Sequence, residues 1–319
     1  MKPDQGQSKQ IETATLIDGD MRVSVLNYGA ITQSWQYKDA SLILGFEDPS
    51  AYLTDTRYFG AIVGRVANRI GGAKFDLADT RFELSANEGG NTLHGGADGL
   101  SKQFWDLEQI ARNEVLLSYV SRDGESGFPG EVRFELRVCL QSPRLIYSIV
   151  AQPSMPTPIS ITQHNYYTLG ASDGVDGHAL ELAANRYLEI DDQGIPTGRI
   201  HPTQGSALDL SAHKTIGHYS DGIDHFFCFD QDRDPKSAVA RLKASSGLAL
   251  TVYSDQPGAQ VYSGYKSSQS PFCSKAVCIE PSGYPNAANI PSFPGIIYTP
   301  KSPYQQVMIL EISEDQHES

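Results

Sequence analysis

The 319-residue sequence predicts a mainly β protein, built from large antiparallel sheets with few short helices. The first observation is a strict alternation between Val132 and Leu140, where every second residue is apolar. Because successive strand side chains point to opposite faces, this period of two indicates a strand with one face in a core. The second observation is a repeated Asp-Gly dipeptide, which favours tight turns because Gly accepts a positive φ. The third is that no long amphipathic helical pattern occurs.

Eight further apolar runs, bounded by turn residues, predict additional strands. In chain order they cover residues 21–27, 114–120, 145–151, 179–183, 248–254, 260–263, 275–280 and 306–312. The Asp-Gly turns between them begin at Asp18, Asp98, Asp123, Asp173, Asp176 and Asp221. A short helix is predicted over residues 50–54, with Ser50 as its N-cap. We find no linker and no internal repeat, so we expect one domain over residues 1–319.

Composition and charge exclude several classes of protein. The chain has 25 Lys and Arg against 38 Asp and Glu, a net charge of −13 without basic runs, so nucleic-acid binding is not expected. With 39% hydrophobic residues the chain can bury a large core, which argues against disorder. No apolar stretch approaches the roughly 18 residues of a membrane span, and the N-terminus lacks the apolar segment of a secretory signal. Four cysteines without a CxxC pair favour a cytoplasmic location.

Three known types of site motif are disfavoured, because the sequence around them lacks the spacing or the helix that each one requires. The stretch from Gly170 to Gly174 matches G-x-S-x-G, but two Asp-Gly turns follow where a nucleophile elbow needs a helix. His213 and His218 lack the spacing of a metal site, so we expect no metal. No glycine-rich loop leads into a helix, which disfavours a nucleotide cofactor.

A set of polar residues remains at the edges of the predicted strands. Its members are Asn68, Arg69, His94, His164, Asp224, Gln260 and Glu280. Taken singly, each is more often structural than catalytic. Glu280 fits a structural role least well, because it continues an apolar run and a buried, unpaired carboxylate is costly. A carboxylate in that position needs a partner, or acts as a base with a raised pKa.

These residues lie in segments that, in this order, resemble the aldose 1-epimerase (galactose mutarotase) family. The segments are Asn27-Tyr-Gly-Ala30, Gly64-Arg-Val-Ala-Asn-Arg-Ile70, Asn91-Thr-Leu-His-Gly-Gly96, Gly127-Phe-Pro-Gly130, Gln163-His-Asn-Tyr-Tyr-Thr-Leu169, Gly222-Ile-Asp-His225, Pro257-Gly-Ala-Gln-Val-Tyr262 and residues 280–294. The resemblance covers roughly residues 20 to 312. No single motif is decisive, but more than six in the family's order are specific.

The resemblance implies a β-supersandwich fold, no cofactor, and a cleft for a monosaccharide on one sheet face. It also implies that Glu280 is the general base and His164 the general acid. The sugar-binding residues that it implies are Asn68, Arg69, His94, Asp224 and Gln260. The chain departs from the family at Ser282, where many members have Gln, and over residues 299–302, where they have Arg-Pro-Gly-Glu. These departures bear on substrate choice more than on reaction type.

The implied reaction explains why an acid and a base are needed. Opening the ring of a free aldose removes a proton from the C1 hydroxyl and adds one to the ring oxygen, and closing on the other face reverses both transfers. Arg69 is the one clear cation of the set, which favours a neutral sugar. Phe128 is expected either to face the sugar ring or to pack in the core.

Three other interpretations stay open from the sequence alone. The chain could be a non-catalytic carbohydrate-binding or regulatory β-sandwich, or a sugar-phosphate epimerase. It could also be a glycoside hydrolase that uses Glu280 and Asp224, although His164 would then lack a role. The sequence does not identify the sugar, and it leaves both a monomer and a homodimer open.

Overall fold

The computed structural model describes residues 10–219, 222–230, 232–234, 236–264 and 275–314. In chain order the strands are β1 (Thr13–Asp18), β2 (Met21–Leu26), β3 (Thr32–Tyr37), β4 (Ala40–Ser41), β5 (Ile62–Val63), β6 (Arg69–Ile70), β7 (Lys74–Leu77), β8 (Thr80–Glu83), β9 (Thr92–Leu93), β10 (Asp106–Ala111), β11 (Glu114–Ser121), β12 (Val132–Gln141), β13 (Arg144–Pro153), β14 (Thr157–Pro158), β15 (Thr162–Gln163), β16 (Ala179–Leu182), β17 (Ala184–Ile190), β18 (Pro196–Pro202), β19 (Lys214–Thr215), β20 (Asp224–Phe229), β21 (Ala240–Lys243), β22 (Leu248–Ser254), β23 (Gly258–Tyr262), β24 (Cys278–Ser282), β25 (Ile297–Tyr298) and β26 (Tyr304–Glu314). The described helices are short 3₁₀ segments at Pro49–Thr54, Gly71–Ala73, Leu100–Lys102, Glu125–Gly127 and Ile216–His218.

Two large antiparallel sheets dominate the architecture. The nine-stranded sheet has the order β10-β11-β12-β13-β26-β22-β21-β16-β19, and the five-stranded sheet has the order β18-β17-β20-β23-β24. A four-stranded sheet, β1-β2-β3-β4, and four two-stranded ribbons complete the described part of the chain. The prediction of a mainly β fold with large antiparallel sheets is therefore confirmed. Within the described residues, no helix has both the length and the apolar character that crossing a membrane requires.

The predicted strands are present in the structure, but several of them begin or end at a different residue. β12 alternates between buried and exposed or half-buried side chains along its whole length, as the period of two predicts. The largest shift is in β24, which starts at Cys278 instead of residue 275 and continues past Glu280 to Ser282. The strand extends through Pro281 because β24 is a sheet edge, where a missing N–H breaks no ladder bond.

The predicted N-cap of the first helix was wrong. The cap is Asp48, whose carboxylate accepts a hydrogen bond from the Ser50 N–H at 2.9 Å and another from the Ser50 hydroxyl at 2.7 Å. Pro49 then takes the first helical position, where its missing N–H would have had no partner. Because Asp48 supplies the cap, Ser50 lies inside this 3₁₀ helix.

One face of the five-stranded sheet packs into the hydrophobic core, and the other face carries polar residues. Alternate residues such as Phe227, Val261 and Ile279 lie in the main hydrophobic core, together with side chains of the nine-stranded sheet. Burying a side chain of that size contributes about 1.5–3 kcal/mol. The intervening residues point to the opposite face, and Gln260 and Glu280 are among them. The core thus anchors three adjacent strands and presents their polar residues on the other side.

Candidate active site

All seven residues predicted for the site line one cleft of about 250 Å³. Three tyrosines, two further charged residues and two smaller side chains complete its wall: Tyr58, Tyr166, Tyr262, Arg57, Glu88, Thr56 and Leu93. A larger, shallower groove of about 800 Å³ lies around Asn185, Arg186 and Arg233 and contains none of the predicted residues. The smaller cleft is therefore the candidate site, because it joins buried titratable groups to hydrogen-bonding side chains.

Three neighbouring strands supply the floor of the cleft. In the antiparallel register Phe226 of β20 lies opposite Gln260 of β23, which in turn lies opposite Glu280 of β24. Residues directly opposite each other point to the same face, and Asp224 shares that face because it is two residues from Phe226. The Gln260 amide donates a hydrogen bond to Oδ1 of Asp224. The strand register, fixed by the core on the other face, thus aligns three polar side chains in a row.

Loops supply the opposite wall through unusual backbone angles. Tyr58, Asn68 and His94 have φ values of 60°, 60° and 52°, in the left-handed region that non-glycine residues seldom adopt. The Asn68 N–H donates to Nδ1 of His94 at 3.1 Å, and the His94 N–H donates to the Asn68 carbonyl at 3.0 Å. These reciprocal bonds hold the two strained residues together and aim both side chains into the cleft.

His94 is a neutral hydrogen-bond donor in this arrangement. Its Nδ1 accepts a bond from a backbone N–H, so Nδ1 carries no proton and the ring proton lies on Nε2. Burial lowers the pKa of His94 well below its ordinary 6.5, and the neighbouring His164 lowers it further. The Nε2–H group of His94 is therefore available to a ligand oxygen across the whole neutral pH range.

Glu280 and His164 form a buried acid–base pair. Nε2 of His164 lies 3.6 Å from Oε1 of Glu280, and both side chains are almost fully buried. Burial raises the pKa of the Glu280 carboxyl well above 4.5, nearby Asp224 raises it further, and Arg69 partly opposes both. Burial also lowers the pKa of His164 to about 4. At pH values between these two pKa values, the pair therefore holds one proton.

Aromatic packing orients the His164 ring. The ring lies between Tyr166, with centroids 5.0 Å apart, and Tyr58, at 6.0 Å, and it is nearly parallel to both. Among the described residues, the Nδ1 atom of His164 has no hydrogen-bond partner, so the ring lacks the bond at Nδ1 that often orients a histidine. The Tyr166 hydroxyl donates to the Arg57 carbonyl at 2.8 Å, and this bond fixes the Tyr166 ring that packs against His164.

Both arginines of the cleft are paired with carboxylates. Nε and Nη2 of Arg69 donate to the two oxygens of Glu88 at 2.6 and 2.8 Å, a bidentate geometry. Nε of Arg57 donates to Asp55 at 2.9 Å. These partners neutralise the positive charge that a phosphate group would require, and Asp224 adds a negative charge.

The acid–base pair and His94 also form a group that could be considered for a metal ion. Ligand atoms of His94, His164 and Glu280 lie within 4.8 Å of one another, the single such group of three in the described ranges. A metal needs an unprotonated ring nitrogen from each histidine, but the Asn68 N–H keeps the His94 proton on Nε2, which faces the group. The donor set therefore suits a hydroxylic ligand better than a cation.

The remaining histidines considered for metal binding lie elsewhere. His213 pairs with Glu181 at 3.2 Å, and the ring of His218 lies 3.3 Å from the Thr215 carbonyl. Glu181 lies in β16 and Thr215 in β19, so the two histidines contact different strands.

Sequence reasoning missed several residues of the cleft. Tyr166 lies two positions after His164, and Tyr262 lies two positions after Gln260, so the period of two in extended chain could have placed them beside these residues. Tyr58 and Glu88 carry no such signal, since loop geometry alone brings them to the cleft. Phe128 does not reach the cleft: it is 1% exposed and packs in a separate hydrophobic cluster.

Comparison with known proteins places the chain in one family. The family model described as aldose 1-epimerase matches residues 12–311. Galactose mutarotase of Rattus norvegicus is 34% identical over 95% of this chain and 94% of its own length. The Homo sapiens galactose mutarotase is 34% identical, with 92% and 91% covered, and the aldose 1-epimerase of Escherichia coli K12 is 31% identical, with 76% and 75% covered.

Solved structures agree with the fold. The aldose epimerase homologue from C. elegans has a TM-score of 0.89 at 24% identity, with 96% of this chain and 99% of that chain covered. The galactose 1-epimerase from Lactobacillus acidophilus has a TM-score of 0.86 at 23% identity, with 99% and 98% covered. Together with the family match over almost the whole sequence, these similarities show that the chain belongs to the aldose 1-epimerase family of isomerases.

Proposed function

We propose that this enzyme interconverts the α and β anomers of a neutral free aldose, with Glu280 as general base and His164 as general acid. The observation that carries the proposal is the 3.6 Å separation of these two groups at the bottom of a cleft lined by hydrogen-bonding side chains. One proton transfer by a positioned group typically accelerates a reaction by ~10²–10⁴-fold, and this reaction needs two transfers.

The proposed chemistry uses the single proton of the pair. In the reactive form Glu280 is ionised and His164 is protonated. This form carries the same number of protons as the form in which both groups are neutral, and the two forms differ only in which group holds the proton. Glu280 removes the proton of the C1 hydroxyl while His164 protonates the ring oxygen, so the C1–O5 bond breaks and a C1 aldehyde forms. After rotation about C1–C2, protonated Glu280 returns its proton to the C1 oxygen as His164 takes back the proton of the O5 hydroxyl.

The other residues are proposed to hold the sugar. His94 donates through Nε2–H, and Arg69 presents its guanidinium group, held by Glu88, at the wall of the cleft. Asp224 accepts from hydroxyls, and the Gln260 amide, bonded to Asp224 through its nitrogen, turns its oxygen to the cleft as a further acceptor. Asn68 completes this set from the loop wall. Such a mixture of donors and acceptors matches a polyhydroxylated ring, and it retains the open-chain form during rotation.

A neutral hexose is the proposed substrate class, with D-galactose as the first candidate. The name galactose mutarotase belongs to the relatives, and 34% identity over most of both chains supports extending it here. The paired state of Arg57 and Arg69 argues against a sugar phosphate.

We also propose a single domain, since the nine-stranded sheet combines strands from residue 106 to residue 314. Three free thiols, Cys139, Cys228 and Cys278, support a cytoplasmic enzyme; Cys273 lies outside the described residues.

Polarimetry tests the proposed substrate directly. Freshly dissolved α-D-galactose, α-D-glucose and α-D-glucose 6-phosphate are each followed with and without the protein. We expect acceleration of anomer exchange for the neutral hexoses, with little effect on the phosphate. A protein that accelerates only the phosphate would refute the neutral-substrate proposal, and sugar binding without acceleration would indicate a binding protein.

The pH dependence of kcat/KM should be bell-shaped. Below about pH 4 both members of the Glu280–His164 pair are protonated, so the base is blocked. As pH rises through the raised pKa of Glu280, the pair loses its last proton and no acid remains, so activity falls again. Polarimetry over the acid, neutral and alkaline ranges, with the spontaneous rate subtracted at each pH, measures both limbs. A profile that keeps rising on the alkaline side would contradict the one-proton pair.

A further inference from the structure

The proposed base lies on a strand that has a neighbour on one side only. β24 ends the five-stranded sheet and lies opposite β23 from Cys278 to Ser282. Because Pro281 has no N–H to donate to Ala259, the ladder bonds of this antiparallel pair belong to the alternate residues Cys278, Glu280 and Ser282. The backbone groups of the residues between them therefore point away from β23, towards the free edge. Near the start of β24, Val277 exchanges two backbone hydrogen bonds with Tyr167, at 2.8 and 3.0 Å. Beyond Glu280 the bonds that hold this edge come from side chains.

The first of these side chains is Gln306 of β26. Its amide nitrogen donates to the carbonyl of Pro281, the residue directly after Glu280, at 3.1 Å. Its amide oxygen accepts from the hydroxyl of Tyr304 at 2.8 Å, and that hydroxyl accepts from the Ile161 N–H at 3.3 Å. Gln306 is 2% exposed. The amide is thus oriented at both ends, and it joins the nine-stranded sheet to the strand of the base.

The second side chain is Ser160. Its hydroxyl accepts a hydrogen bond from the N–H of Gly283 at 3.0 Å, just past the end of β24. The backbone of Ser160 is bonded to the loop before Asn68: its N–H donates to the Arg65 carbonyl at 2.8 Å, and its carbonyl accepts from Ala67 at 2.7 Å. Ser160 also lies four residues before His164 in the chain. One buried residue therefore connects the strand of the base, a sugar-binding loop and the segment of the acid.

We propose that Ser160 and Gln306 are positioning residues, which fix Glu280 relative to His164 by replacing the missing neighbour of β24. The proposal rests on the proposed roles of Glu280 and His164. Neither positioning side chain lines the cleft, so neither touches the substrate. A buried amide and a buried hydroxyl are costly in a core unless they are bonded, and here their bonds lie within three residues of the base. Without them, the edge strand could move away from β23 and carry Glu280 with it.

The test replaces each side chain by an apolar one of similar or smaller size, as Ser160→Ala and Gln306→Met. Misplacement of a catalytic group by about 1 Å can lower a rate by ~10²-fold, so we expect kcat to fall about 10- to 100-fold with KM nearly unchanged. Because a looser strand admits water to Glu280, the alkaline limb of the pH profile should also move to lower pH. Two independent variants keep the test valid if one of them does not fold.

Thr157→Val is the matched control. Thr157 is fully buried in the segment that leads to Ser160, but its hydroxyl has no hydrogen-bond partner within the described part of the chain, so its loss should leave kcat and the pH profile unchanged. The proposal is overturned if Ser160→Ala and Gln306→Met lower only the Tm, with kcat and pH limbs as in the wild type, while Glu280→Gln is inactive. If Glu280→Gln itself stays active, the assignment of the base fails first, and the positioning role fails with it.

Discussion

Glu280→Gln should reduce kcat by ~10²–10⁴-fold or more, because the amide keeps the shape of the side chain but cannot remove a proton from the C1 hydroxyl. Sugar binding should persist, since Gln260, His94 and Arg69 are untouched. Polarimetry gives kcat, and calorimetric titration with the sugar gives the binding constant. An unchanged rate would show that another group acts as base.

The stability of the same variant provides an independent check. The folded state raises the pKa of Glu280, so above its unfolded-state pKa the ionised carboxylate disfavours folding. At acidic pH, with both states protonated, this penalty vanishes. Glu280→Gln removes the penalty at neutral pH, so its Tm at pH 7 should equal or exceed that of the wild type. Glu108→Gln, on an exposed position of β10, is the matched control and should leave both kcat and Tm unchanged.

His164→Asn should also reduce kcat by ~10²–10⁴-fold, because it removes the imidazole that lies 3.6 Å from Glu280 and is proposed to protonate the ring oxygen. The His94 ring, 5.3 Å away between centroids, cannot substitute, since its bond with the Asn68 N–H keeps it neutral. In the double variant with Glu280→Gln the loss should be far less than the product of the single losses, as for groups that act as a unit.

His213→Asn is the control for this second variant, because His213 is bonded only to a surface glutamate in the described structure. It should have wild-type kcat. Fully multiplicative losses in the double variant would contradict a shared proton, and wild-type activity in His164→Asn would remove His164 from the mechanism. Circular dichroism of each variant verifies that lost activity does not reflect lost folding.

The strands could be predicted because their signal is local. Alternation in β12 and the apolar runs of β13, β22 and β26 follow from burial of one or both faces of a sheet, which the residues record directly. Element ends were less predictable, as the N-cap at Asp48 and the extension of β24 through Pro281 show. The cap depends on which side chain accepts a bond from the first turn, and the extension of β24 depends on its place at the edge of the sheet.

The candidate site was predicted as a set of residue types in a family's order, without its geometry. Glu280 could be singled out because a carboxylate that continues an apolar run needs an explanation. The pKa of His164 could not be inferred: its ordinary value near 6.5 suggested a ready acid, whereas burial lowers it to about 4 and gives the pair one proton. Tyr58 and Glu88 were missed because only a folded loop brings them to the cleft.

By itself the sequence determined the β class, the family and seven of the residues that line the cleft, because side-chain periodicity and motif order are properties of the chain. The tertiary structure alone decided which groups share a proton, which arginines are neutralised by Asp55 and Glu88, and how the edge of β24 is held. These depend on distances between residues far apart in the chain, and on the removal of water from Glu280 and His164. Burial and through-space contact arise only when the sheets pack together.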